Sequence, residues 1–207
     1  MLIKIKKILA VTALLAMSGT ASAVIIPFGV QNNISDATVS GWGFTQCYSS
    51  TYGASGDSIS VILGNCTGSH LMLAARRVGT TVWDVLGAAD FASVTTDTST
   101  GNITTLANGI EWYYSPSWSW GFAKGGDSVS RTSCDTSSTN AAQRLCWHTG
   151  NGNINGGWRA GANTGLNGNN GWERSIFTAN VAQVSSPSIL AIFGLALVGF
   201  GLKRRYN

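Results

Sequence analysis

The sequence offers little for acid–base chemistry. It has only two histidines, His70 and His148, in 207 residues. It contains no Gly-x-Ser-x-Gly elbow, no His-Glu-x-x-His pair and no phosphate-binding glycine loop, so the usual signatures of a serine hydrolase, a zinc peptidase or a nucleotide site are missing. Charged residues make up 11% of the chain. The acids Asp84, Asp90, Glu111, Asp127, Asp135 and Glu173 are scattered, and the spacing of a glycosidase pair is a property of the fold rather than the sequence. Cys134, Cys146 and His148 lack the Cys-x2-Cys spacing of a structural zinc site. No repeat of fixed period marks a solenoid or propeller. The expectation is a protein that is not an enzyme and holds no metal or cofactor, with a glycan-active hydrolase as the most distant alternative.

A basic face is also missing. The formal charge of +4 comes from 13 basic and 9 acidic residues. Six of the basic residues are Lys4, Lys6, Lys7, Lys203, Arg204 and Arg205, all near the chain ends. The interior of the chain is therefore slightly acidic, which excludes nucleic acid as a partner.

Both ends carry address-like segments. Lys4, Lys6 and Lys7 precede an apolar run from Ile8 to Met17, followed by Ala21, Ser22 and Ala23. That order reads as a secretory signal peptide over residues 1–23, with signal peptidase as its partner and a mature start near Val24. The run is short for a membrane span, which takes ~20 apolar residues. At the other end, Ser185, Ser186, Pro187 and Ser188 lead into an apolar, Gly-containing stretch from Ile189 to Leu202, and Lys203, Arg204 and Arg205 close it. Residues 181–207 read as a linker and a sorting or transmembrane tail, with the cations staying on the cytoplasmic side. A eukaryotic lipid-anchor signal is the rival, and Asn-x-Ser/Thr sites at Asn33, Asn65 and Asn102 would suit it. Such tails end apolar, whereas this one ends basic.

Between these ends lie about 160 residues, enough for one domain with its own core. They hold all eight tryptophans and all four cysteines. Aromatics at this density exclude disorder. Residues 24–40 read as an N-terminal arm and 41–180 as a β-rich extracellular domain. Strands are expected at "WGFTQCYSS", at "HLMLAARRV" and "TVWDVLGAA" across a Gly79-Thr80 turn, in "GIEWYYSPSWSWGF", at "QRLCWHT" and "GGWRAG" around "GNGNIN", and at "WERSIFTA". "DTSTGN" reads as a turn, and Pro116 is expected at a sheet edge or bulge. "SGDSISVILGNC" is the helix candidate, capped by Ser55 or Asp57, with Ile59, Ile62 and Leu63 on one face. The fold class is mostly β: a single disulfide-containing sandwich or curled-sheet domain of about seven strands with one short helix.

Four cysteines in an exported chain read as two disulfides, and three pairings exist. The sequence-local set, Cys47 with Cys66 and Cys134 with Cys146, is preferred. For ligand contact, Trp118, Trp120 and Phe122 alternate with Ser117, Ser119 and Gly121, so the three rings share one strand face. An exposed stripe would stack on sugars; the favoured reading buries it in the sandwich, facing Trp83 and Trp147. Trp158 and Arg159, with the amide-rich loops "HTGNGNINGG" and "GANTGLNGNN", are the other candidate glycan contacts. Arg159 and Arg174 sit beside tryptophans in sequence and are expected to stack on them or to pair with an acid such as Glu173.

The tail "SPSILAIFGLALVGFGLKRR" resembles the PEP-CTERM sorting signals of Gram-negative bacteria. Pro187 stands where that family has its second proline, and Ser185 and Ser186 replace its Pro-Glu. The resemblance implies an exosortase-like membrane enzyme as partner, and a place in the cell envelope or extracellular matrix. "LMLAARRVG", "WYYSPSWSWGFAKGGDSVSR" and "GGWRAGANTGLN" resemble a domain of uncharacterised exported bacterial proteins, spanning Gly41 to about Ala179. That likeness implies cysteines in relatives where Ala75 and Ala160 stand here, and hence proximity of these two positions. The function expected is an exported, envelope-attached or released protein, structural or adhesive in an exopolysaccharide or biofilm matrix, with polysaccharide as partner. A carbohydrate-binding module is the alternative.

Overall fold

A strand whose residues are apolar on both sides needs a cover on both faces, and the runs "LMLAA" and "SWGFA" impose that requirement on two sheets. The computed structural model describes residues 23–181. The expected signal peptide and sorting tail lie outside the described residues.

The described residues form β1 (Gln31–Ser35), α1 (Asp36–Gly41), β2 (Thr45–Thr51), β3 (Ser55–Ser58), α2 (Ile59–Asn65), β4 (His70–Arg77), β5 (Val82–Asp90), α3 (Phe91–Thr95), β6 (Thr105–Ala107), β7 (Ile110–Tyr114), β8 (Ser119–Lys124), β9 (Arg131–Thr132), β10 (Cys134–Asp135), a 3-10 turn (Ala141–Gln143), β11 (Leu145–Gly150), β12 (Asn153–Ala160) and β13 (Trp172–Ala179). One antiparallel sheet has the order β1-β5-β4-β13-β2, and the other β3-β12-β11-β8-β7-β6; β9 and β10 form a separate small ribbon.

The two sheets enclose the main core. Leu71, Leu73 and Ala75 of β4, Val85 and Ala89 of β5 and Ile176 of β13 meet Ile110, Trp112, Trp120, Phe122, Leu145, Trp147 and Ile154 of the second sheet. The outer face of the first sheet has its own cover. Val39 of α1 and Phe44 pack with Met72, Ala74, Leu86, Ala88 and Phe177, with Val24, Ile26 and Trp42 alongside. The outer face of the second sheet is covered by the segment carrying β9 and β10, where Tyr113, Ala123, Val129, Cys134 and Cys146 cluster. A Cβ on Gly121 of β8 would collide with the Leu145 carbonyl and the Tyr113 hydroxyl, so this strand needs glycine there.

Local chemistry sets the connections. Asn108-Gly109 and Asn151-Gly152 each place two residues at positive φ between paired strands; this is the type I′ hairpin that matches strand twist. Ser35 caps α1 by accepting from the Thr38 N–H, and Asp90 caps α3 by accepting from the Ser93 N–H.

Two disulfides are present, Cys47–Cys66 and Cys134–Cys146, with Cα separations of 5.2 and 5.8 Å. The first ties β2 to the end of α2; the second ties β10 to β11. Ala75 and Ala160 are both fully buried in the main core.

Several expectations need correction. The described residues hold thirteen strands and three short α-helices rather than about seven strands and one helix, because many strands are too short to announce themselves. The helix candidate splits: Ser55 and Asp57 belong to β3, and α2 starts after Ser58 without a side-chain cap. Ile59 and Ile62 are buried as the helical face requires. The expected arm, residues 24–40, supplies β1, paired with β5, and all but the last residue of α1, packed on the sheet. Pro116 lies in the turn between β7 and β8, not at an edge or bulge. Trp118 also lies in that turn and is half-buried, whereas Trp120 and Phe122 are fully buried. Trp147 does meet Trp120, edge to face at 6.0 Å, but Trp83 lies in the outer cluster against Phe177.

Trp120 donates its indole N–H to the Val94 carbonyl at 2.9 Å. Trp120→Ala is expected to lose about 3–5 kcal/mol of stability, measured by urea denaturation. Trp118→Ala, which removes a half-buried ring, is expected to cost clearly less.

Candidate functional site

The cover over the second sheet is held by buried charges. Asp135 and Arg144 have no exposed side-chain surface. One Asp135 oxygen accepts from the Ser130 and Ser137 backbone N–H groups, each at 3.0 Å. The other accepts from Arg144 and lies 3.8 Å from Arg159. Arg144 also donates to Asp127 at 3.0 Å and to the Thr139 carbonyl at 2.6 Å. Two cations thus face two anions in a closed network. Burial draws the Arg159 pKa below its ordinary value. Arg131 holds a second loop: it donates to the carbonyls of Gly101, Ser99 and Ile103, and its guanidinium lies 4.7 Å from the Tyr113 ring centre and 5.3 Å from that of Trp118.

Beside this cover lies a small depression of about 160 Å³, lined by Thr132, Cys134, Thr136, His148, Trp158 and Asn167. Strand alternation puts its aromatic walls on one face, since His148 of β11 and Trp158 of β12 point away from the core that holds Trp147. Their ring centres are 6.5 Å apart and tilted at 56°. Ser133, at the β9–β10 turn, donates to the Trp118 carbonyl at 3.1 Å and contacts His148 Nδ1 at 2.8 Å. Its proton is committed to the carbonyl, so Nδ1–H is the donor to Ser133. That tautomer leaves Nε2 as an acceptor, facing the Asn167 amide N–H at 3.3 Å. Burial holds the His148 pKa below its ordinary value, and a proton on Nε2 would also face the Asn167 donor.

The other sequence candidates lie elsewhere. Trp120 is inside the core and Arg159 is buried against Asp135, so neither is open to a glycan. Trp158 does reach the depression, and Trp118 is capped by Arg131. Arg159 and Arg174 stack on no tryptophan. Arg174 is fully buried and donates to Tyr48 Oη, to the Ala54 carbonyl and to Asp57. Burial pushes the Tyr48 pKa up to about 12. Burial also raises that of Asp57, but hydrogen bonds from Tyr48 and Arg174 outweigh it and hold the carboxyl below its usual range. The stacking falls instead to Arg76 over Trp83, at 3.9 Å, and Arg77 over Trp172, at 5.0 Å. Glu173 and Asp36 bind Arg76.

Cys134 and Cys146 are joined to each other, which removes both as metal ligands. Among the described residues no group of three or more His, Cys, Asp or Glu is placed to hold a metal. Sequence reading missed Thr132 and Thr136 as wall residues. The loops "HTGNGNINGG" and "GANTGLNGNN", named as candidate contacts, supply His148 and Asn167.

Comparison with known proteins found no matching family model, no matching curated protein and no matching solved structure.

Two outcomes follow. Asp135→Asn leaves two buried guanidinium groups short of their counter-charge and is expected to cost about 3–5 kcal/mol, read by thermal and urea unfolding. For His148, the unfolded chain takes up a proton near its ordinary value of about 6.5, while the folded protein resists it. Its contribution to stability is complete above that pH and is lost as pH falls toward the lower folded value. Urea midpoints measured between pH 7.5 and 5 are expected to fall less in His148→Gln than in the parent.

Proposed function

We propose that the chain is an exported, non-enzymatic protein, envelope-attached or released, that is structural or adhesive in an exopolysaccharide or biofilm matrix of a Gram-negative bacterium. The observation that carries this reading is the pair of disulfides that fasten surface segments to the sheets. Such bonds persist in oxidising compartments. The signal-like first 23 residues and the PEP-CTERM-like tail agree with that setting. Asp57, Asp127, Asp135 and Glu173 are each bound by an arginine and Asp90 caps a helix, which favours a structural use of these acids over a catalytic one.

A carbohydrate-binding module is the second reading. The depression walled by Trp158, His148 and Asn167 favours it, because an aromatic face flanked by amide and hydroxyl groups suits a polyol.

Cell fractionation with intact-mass measurement tests the proposal. The protein is expected in the envelope or matrix fraction, both disulfides oxidised, starting near Val24 and ending near Ser186. A soluble cytoplasmic protein with free thiols and an uncut start would overturn it.

A further inference from the structure

We infer that the depression between β11, β12 and the β9–β10 turn binds a single neutral sugar unit displayed by a polysaccharide, with Trp158 as the stacking wall and Asn167 and His148 Nε2 as its polar contacts. This rests on the matrix-adhesion reading and assigns the contact point.

Size gives the first argument. About 160 Å³ is well below the ~300 Å³ at which sites for drug-sized ligands begin. It is the share of liquid volume of roughly five waters at ~30 Å³ each, which suits one ring seated in the depression.

The walls give the second. Trp158 is half-buried, yet its Nε1 is buried and has no hydrogen-bond partner. Whatever the indole ring shows to solvent is therefore carbon, the surface on which the C–H face of a sugar packs. Across from it, Asn167, Thr132 and Thr136 are exposed and carry amide and hydroxyl groups. Nε2 of His148 is an acceptor whose present partner, Asn167, is a surface side chain at the long distance of 3.3 Å. A ligand hydroxyl can donate to Nε2 and accept from the amide in place of that contact.

Charge gives the third. None of the six lining side chains is an acid, a lysine or an arginine. The nearest buried ions, Asp135, Arg144 and Arg159, are bound to one another or to Asp127. Such a site offers no counter-charge to a uronate or phosphate group.

The test is affinity electrophoresis of the full chain, exported with its own leader and extracted in detergent. The gels contain laminarin or galactomannan as neutral probes and alginate as the acidic one. The parent is expected to be retarded by at least one neutral gel and not by alginate. Asn167→Ala and Trp158→Ala are each expected to weaken that retardation about tenfold, while Phe28→Ala, at an exposed residue that is not part of the depression's lining, leaves it unchanged. Asn167 is exposed, so its variant reports on contact even if Trp158→Ala fails to fold. Retardation by a neutral gel that both folded variants keep would overturn the site and leave the adhesion reading standing. Retardation by alginate alone would overturn the neutral-sugar assignment. Migration unaffected by every gel would remove the adhesion reading itself.

Discussion

The buried carboxylate of Asp135 is the constraint on which the outer half of the molecule depends. It has no exposed side-chain surface and belongs to a cover made of two-residue strands and turns. Such a segment has too few backbone bonds to hold itself down. A charge out of water demands partners, and Asp135 finds them in two backbone N–H groups and two arginines. Those partners come from Arg144 just before β11, from Arg159 of β12 and from the backbone at Ser130 and Ser137, so satisfying one anion fixes the cover to the sheet. The Cys134–Cys146 bond fastens the adjoining residue to the same strand. The walls of the depression are then consequences: Thr132, Cys134 and Thr136 stand where they do because Asp135 cannot move.

Arginines do the same elsewhere. Arg131, Arg144, Arg159 and Arg174 are buried, and Arg76 is mostly so. Each ties loops or sheet edges through its fork of donors, a role for which lysine is poorly shaped. Of the basic side chains in the described residues, Lys124 and Arg77 are the two left exposed. The surface therefore has little cationic character, and recognition of an acidic polymer would find few partners on it.

How much of this was legible in the sequence depends on range. Short-range features were: the Gly79 turn, the hairpin around "GNGNIN", the sequence-local cysteine pairs and the apolar runs of β4 and β5 all follow from neighbours along the chain. The two-sided burial of β4 was visible as a run without alternation, although what covers it was not. Long-range features were hidden. Residues 31–35 carry few strand formers, and they become β1 because β5 offers a free edge. Arg159 follows Trp158 directly and Arg174 stands two residues after Trp172, but their partners Asp135 and Asp57 lie far off in the chain, and it is those carboxylates that take the guanidinium groups. The site mixes both cases. Trp158 could be named from composition, whereas Thr132 and Thr136 gain their meaning only when the cover folds back over the sheet.

The sheet edges bear on how the molecule behaves when crowded. β3 and β6, which border the six-stranded sheet, are four and three residues long. β1 has five residues, and β2, the longest edge, is rich in Thr, Ser and Gln, interrupted by a register shift against β13 and fastened to α2 by a disulfide. Short, kinked or polar edges are poor templates for another chain's backbone. A protein whose long apolar strands β4, β5 and β8 are all internal to their sheets can be held at high concentration without recruiting its copies into continuous β-structure.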